Sequence, residues 1–179
     1  VFTGSVSERM RTTARIILSL ICTALAVMWV YALFFASKES INKIGDDAWA
    51  QRAQLRCLDA EREREALADY RLISDVGVDG LRQRADLVDR ATDTLDAMIR
   101  SLKADQPADE KGRAIVPLWI AEYERYVDDR RSYAQRLRTG DNAPFSESTF
   151  EGLPLAERLA TFAGDNRMPA CAPPIDLSV

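Results

Sequence analysis

The sequence predicts an all-α protein: one N-terminal transmembrane helix followed by an antiparallel bundle of three long helices plus one short helix. Three observations carry this. Residues 16–36, IILSLICTALAVMWVYALFFA, run for 21 positions without a charge. Beyond them, apolar residues recur at helical spacing, and nowhere do apolar and polar residues alternate as a strand requires. Gly- and Pro-bearing stretches punctuate the pattern at intervals that leave whole helices between them.

The apolar run is the decisive segment. At 1.5 Å of rise per residue, 21 residues cover roughly 30 Å, the thickness of a bilayer's hydrocarbon core. A core helix of a soluble protein keeps one polar face, whereas this one is apolar all round, broken only by Ser19 and Thr23. Trp29, Tyr31, Phe34 and Phe35 gather toward its far end, where aromatic rings favour the headgroup region. Arg9, Arg11 and Arg15 precede the span, while Lys38, Glu39, Lys43, Asp46 and Asp47 follow it without net positive charge. The positive-inside rule therefore puts residues 1–15 on the cytoplasmic side of a plasma membrane and residues 37–165 outside the cytoplasm as a helical domain. Ala24-Leu25-Ala26 has the small-x-small form of a signal-peptidase site, but cleavage there would leave VMWVYALFFA as an exposed N-terminus, so a retained anchor is expected. Leu20-Ile21-Cys22 lacks the small residue that lipidation of a cysteine needs.

Charge and composition narrow the function. The chain carries 24 basic and 28 acidic residues, and 21 and 27 of these follow the span, so the exported part is mildly acidic and offers no field for nucleic acid. Histidine is absent, which removes the commonest general base and the favoured zinc or haem ligand. No nucleophile elbow, phosphate-binding loop, dinucleotide turn or CxxC pair occurs. No enzyme is expected: no catalytic, metal or cofactor residue is assigned.

The exported helices follow in order. Ser40 to about Ile73 forms the first, with Ile41, Ile44, Ala48, Leu55, Leu58 and Tyr70 near helical spacing. Gly77-Val78-Asp79-Gly80 is a turn signal. Leu81, Val88, Leu95 and Leu102 then repeat every seven residues, with Ala85, Ala91 and Met98 on the same face, giving a helix over 81–103. Gln106 to Gly112 reads as a loop, and Pro117 as an early position of a third helix that reaches Arg138 and stops at Gly140. Pro144 to Gly152 reads as a loop, after which Leu155, Leu159 and Phe162 make a short helix ended by Gly164.

Three features invite a closer reading. Cys57 and Cys171 both fall in the exported region, where a disulfide can form and would tie the Pro-rich tail, residues 166–179, to the first exported helix. Trp119, Tyr123, Tyr126 and Tyr133 fall three, four or seven residues apart and define an aromatic stripe. The stripe is either the core face of its helix or a docking surface for another protein, since aromatic anchors and Arg carry much of the binding energy at interfaces. Asp128-Asp129 beside Arg130-Arg131 is expected to be a solvated face with intrahelical ion pairs, because adjacent helix residues point about 100° apart.

The single span after an Arg-bearing tail, the block beginning at Trp119 (W-x3-Y-x2-Y-x2-DRR-x-YA-x2-LR-x-G) and the segment beginning at Asn166 (N-x-MP-x-CA-PP) together resemble a group of uncharacterised actinobacterial single-pass membrane proteins. The resemblance covers nearly the whole chain and implies a topology. By analogy with one-helix subunits of bacterial membrane assemblies, respiratory supercomplexes among them, it implies a non-catalytic accessory or assembly subunit of a larger integral-membrane complex. Such a subunit's partners would be that complex and the lipid bilayer. The alternatives are an extracytoplasmic sensor or a lipid- or small-molecule-binding helical domain, with an unrecognised enzyme as the remotest. Ser19, Thr23, Ala24 and Ala26, small residues in the inner half of the span, fit close approach of another transmembrane helix.

Overall fold

The computed structural model describes residues 4–34, 40–67 and 77–177. The chain divides into two units, residues 1–39 and residues 40–179. The first is one helix, α1 (Gly4–Phe34). Every side chain from Arg11 to Phe34 is exposed, and this stretch is long and apolar enough to cross a membrane. Its backbone donors and acceptors are satisfied within the helix, the condition for crossing a hydrocarbon layer. The predicted span's last two residues, 35 and 36, lie outside the described residues.

The second unit holds three long helices, α2 (Asp47–Glu65), α3 (Val78–Lys103) and α4 (Glu110–Arg138). They are followed by a hairpin of β1 (Thr149–Phe150) and β2 (Leu153–Pro154), the short helix α5 (Leu155–Asp165) and a 3-10 turn over Pro169–Cys171. Pairing across the helices fixes their directions. Arg131 meets Asp89, Asp93 and Asp96 while Arg138, further along α4, meets Asp86 and Asp89, so α3 and α4 are antiparallel. Trp49 and Arg52, early in α2, reach Asp105 just past the end of α3, so that pair is antiparallel too.

The seven-residue repeat of α3 is its buried face: Leu81, Val88, Leu95 and Leu102 are 6%, 4%, 1% and 1% exposed. In α2 the buried face is different from the one the apolar spacing suggests. Ile41, Ala48 and Leu55 are exposed and Leu58 is half-buried, whereas Trp49, Ala50, Ala53, Cys57 and Ala60 are buried. Small side chains at i, i+4 and i+7 let α2 approach its neighbours closely, and Cys57 has to face Cys171. Tyr70 and the stretch 68–73 of the predicted helix lie outside the described residues.

Helix starts also move. The expected first exported helix begins at Asp47 instead of Ser40, and α4 begins at Glu110 instead of near Pro117, for one shared reason. Asp46 caps α2 by accepting from Trp49 N (2.8 Å) and also accepts from Ala108 N (2.9 Å). Asp109 caps α4 by accepting from Gly112 N (2.8 Å), and also accepts from Gly45 N (3.0 Å) and Asp46 N (3.1 Å). Each carboxylate thus satisfies its own helix's orphan N–H groups and secures the other helix's approach. A Cβ at Gly112 would lie 2.5 Å from Asp109 Oδ1 and 2.6 Å from Pro107 Cβ, which reserves the position for glycine. Pro117 consequently sits inside α4 and not in its first turn. Likewise α3 begins at Val78, three residues before the expected start.

The expectation of no strands needs a small correction. Thr149 pairs with Pro154 and Phe150 with Leu153 around a two-residue turn in which Glu151 (φ 52°) and Gly152 (φ 81°) are both left-handed. That is the primed turn whose twist suits a tight hairpin. The signal in the text is Glu-Gly in place of the more common Asn-Gly, so it is easily missed.

The predicted disulfide is present: Cys57 and Cys171 are bonded with Cα atoms 5.1 Å apart, both sulfurs buried, and 114 positions apart in sequence. Cys22 is free and exposed on α1. Asn166, 1% exposed, secures the same end of the unit by accepting from Ile44 N (2.9 Å) and donating to the carbonyls of Asn42 and Phe162 (2.9 Å each).

Two outcomes follow. Replacing both Cys57 and Cys171 with Ser is expected to lower the unfolding free energy by about 2–5 kcal/mol in urea titrations, with reductant reproducing the loss in the parent chain. Acid is the second lever. Hydrogen bonds from Ala108 and Trp49 amides hold Asp46 below its ordinary 3.8, and the Arg52 guanidinium does the same for Asp105. At Asp109 partial burial pushes upward, but the amides of Gly112, Gly45 and Asp46 outweigh it and lower the value. Groups depressed in the folded state stabilise it fully above their unfolded value, so the melting temperature should be flat above about pH 5 and fall as pH drops below 4. The Asp109→Asn variant should start lower and show a shallower acid loss.

Candidate functional site

The most distinctive block of the sequence, in α4, turns inward. Trp119, Tyr123, Tyr126 and Tyr133 are 3%, 1%, 2% and 1% exposed. Of the two readings of the aromatic stripe, these side chains make the core face and offer another protein no surface. Trp119 stacks on Phe162 of α5 (4.9 Å between centroids) and meets Tyr123 edge-on at 5.6 Å. Phe145, from the loop after α4, meets Tyr126 and Tyr133 edge-on at 5.9 and 5.7 Å. Trp119 Nε1 donates to Leu159 O and Tyr126 Oη to Pro174 O. The Tyr123 hydroxyl is buried with no hydrogen-bond partner among the described residues, and desolvation pushes its pKa upward, so it stays a neutral phenol.

The charged run in the same helix also departs from expectation. Arg130 is fully buried, and its guanidinium makes a two-pronged pair with Asp176 (2.7 and 2.8 Å) while Nε donates to Thr92 Oγ1 (3.1 Å). Arg131 spans to Asp89, Asp93 and Asp96, and Asp129 accepts from Ser148 N (2.7 Å) and Oγ (2.9 Å). These are contacts between elements, not within the helix, because α3 presents its acids at i, i+4 and i+7 opposite Arg131. Only Asp128 is the expected solvated residue. Asp176 could not be nominated from the sequence, since it lies in a tail without periodicity.

The Cys57–Cys171 bond, the Arg130–Asp176 pair and the Tyr126–Pro174 hydrogen bond fasten residues 169–177 along the bundle, and Leu177 packs beside Leu81, Val88 and Leu137. This strap borders a concavity of about 300 Å³ lined by Arg64, Arg84, Val88 and Asp176 among others.

A larger groove, about 560 Å³, lies between α4, α5 and the hairpin. Its large apolar lining residues are Ile115, Leu118, Trp119, Phe150, Leu153 and Phe162, and Asn42, near the start of the unit, lines it too. Leu118, Phe150 and Leu153 are 65%, 41% and 45% exposed, high for large apolar side chains. Arg158 braces the wall: it pairs with Glu122 at 2.6 Å and lies 4.6 Å over the Phe150 ring. Because the hairpin is short and tightly turned, it holds Phe150 and Leu153 outward while Glu147 accepts from Ala156 N (2.7 Å) at the start of α5. The groove is not legible in the sequence: Leu118 lies 32 positions before Phe150, and with Leu153 the three belong to no single periodic face.

Among the described residues no group of three or more acidic or cysteine side chains has a metal-holding arrangement. Comparison of the chain with known families, with curated proteins and with solved structures finds no match, so geometry alone carries the functional argument.

The buried guanidinium generates a sharp expectation. Arg130→Ala should destabilise the domain by about 3–5 kcal/mol in urea titrations, because it removes the partner of a charge and leaves Thr92 Oγ1 short of a donor. Asp176→Asn should cost a comparable amount, because it leaves the fully buried Arg130 guanidinium without its counter-charge, whereas Arg130→Ala leaves a carboxylate that is partly in solvent. Losses below about 1 kcal/mol in both variants would show that the strap contributes only through its apolar contacts.

Proposed function

We propose that the chain is a non-catalytic accessory or assembly subunit of a larger bacterial integral-membrane complex, such as a respiratory supercomplex, a transporter or envelope machinery. The observation that carries the reading is the pairing of a helix long and apolar enough to cross a membrane, α1, with a separately folded acidic helical unit. On this reading the N-terminus is cytoplasmic, as the three arginines before the span favour, and residues 40–179 lie outside the cytoplasm, as the disulfide favours.

What supports the non-catalytic role is where the charged groups are used. Arg130, Arg131, Arg138 and Arg158, with Asp89, Asp105, Asp129 and Asp176, hold one element to another. A catalytic group must be free to meet a substrate at the moment of reaction. Small residues at Ser19, Thr23, Ala24 and Ala26 favour close packing of α1 against other transmembrane helices. A second reading, an extracytoplasmic domain that binds a lipid or small molecule, draws on the groove, whose volume falls in the range of ligand pockets.

Affinity purification of the tagged full chain from its native membrane in mild detergent, with native-gel sizing and mass spectrometry, separates these. A subunit comes out in fixed ratio with the components of one complex, and replacing Ser19, Thr23, Ala24 and Ala26 with Leu weakens that association while the domain's thermal melt is unchanged. Recovery of the chain alone in several detergents would overturn the accessory reading.

A further inference from the structure

The exposed apolar residues of the helical unit are unevenly placed. Among its described residues the large ones are Ile41, Leu55, Leu118, Phe150, Leu153 and Ile175. Three of these line the groove, and Ile41 directly precedes Asn42, which also lines it. Ile41 is 85% exposed and sits at the very start of the unit, next to Ser40. The helix α1 ends at Phe34, so five residues connect it to Ser40 and, even fully extended, span no more than about 20 Å.

We propose that this face seats the helical unit on the surface of the bilayer that its own anchor crosses, with Ile41, Leu118, Phe150 and Leu153 entering the boundary between headgroups and acyl chains. The occupant of the groove face is lipid. The connecting length argues for it, because the groove's lining includes Asn42, two residues from the start of the unit, where the chain ties it to α1. A tethered face meets its surface at an effective concentration in the millimolar range, so a small apolar patch suffices where a free domain would need far more area. Charge does not oppose the contact: although the domain as a whole is acidic, the groove's rim is balanced, Arg125 and Arg158 against Glu122 and Glu157. The hairpin is built for such a role, since its primed turn projects Phe150 and Leu153 together and Arg158 stiffens the base. Interfacial seating of this kind goes beyond the accessory role and requires only that α1 be in a membrane.

The test uses the full chain in phosphatidylcholine vesicles, without any other protein. In a Cys22→Ser background, spin labels are placed singly at Leu118→Cys, Leu153→Cys and Leu55→Cys; one label per chain confirms that the Cys57–Cys171 bond, and with it the fold, is intact. Collision with oxygen, which concentrates in lipid, and with a water-soluble nickel chelate is read by power saturation. The expected result is an oxygen-to-nickel ratio several-fold higher at Leu118 and Leu153 than at Leu55, which lies on α2 away from the groove. Adding Phe150→Ser should lower the ratio at Leu118 toward the Leu55 value. Equal, nickel-accessible readings at all three positions would overturn the proposal by showing the face in water. Shielding of Leu118 and Leu153 from both reagents would overturn it as well, by showing a second copy of the chain on the groove. Neither result depends on whether the chain belongs to a larger complex, which the purification experiment decides separately.

Discussion

The helical unit depends on a constraint that is covalent before it is hydrophobic: α2 has little apolar surface with which to hold itself in place. Its buried face is one large side chain, Trp49, and four small ones, Ala50, Ala53, Cys57 and Ala60, which permit close approach but remove little apolar area from water. The Cys57–Cys171 bond compensates by tying α2 to the end of the chain, so that the first and last parts of the unit close on the long α3–α4 pair between them. Around that bond sit the polar fasteners: Asn166 on Ile44, Ser40 and Asn42 on Asp165, and the crossed caps of Asp46 and Asp109. Each satisfies backbone or side-chain groups that the loops would otherwise leave unpaired, and each joins residues far apart in sequence.

The pair α3–α4 is organised differently. Its seam combines a seven-residue apolar repeat from α3 with the aromatic face of α4, and its flank is a row of acids on α3 met by Arg131 and Arg138. The exposed pairs add little individually, since solvent screens them. The exception is Arg130, whose buried guanidinium is compensated by Asp176 and Thr92 and so makes the C-terminal strap a condition of the core and not an ornament on it. A helix face that reads as solvated from its charge is therefore half structural.

With these groups committed to holding elements together, the surface that distinguishes the unit is apolar. The groove of Leu118, Phe150 and Leu153 and the exposed helix α1 both present surface that water disfavours. A chain with a helix able to cross a membrane has two ways of covering such surface, lipid and protein, and the two proposals assign one to each: lipid to the groove face, protein helices to the small residues of α1.

By itself the sequence determined what depends on local order. An uncharged run of 21 residues dictates a helix that can cross a membrane, because backbone groups must pair within the segment and length follows from the rise per residue. The repeat of α3, the aromatic stripe of α4 and the pairing of Cys57 with Cys171 were legible for similar reasons: periodicity reports a face, and the two cysteines that follow the apolar run have only each other to bond with. Only the tertiary structure decided which face of α2 turns inward, where α2 and α4 begin, that Arg130 is buried on Asp176, and that Leu118, Phe150 and Leu153 share a groove. Each of these depends on a partner 32 to 114 positions away. A periodic pattern records only that a residue avoids or tolerates water, and carries no mark of which distant group will meet it.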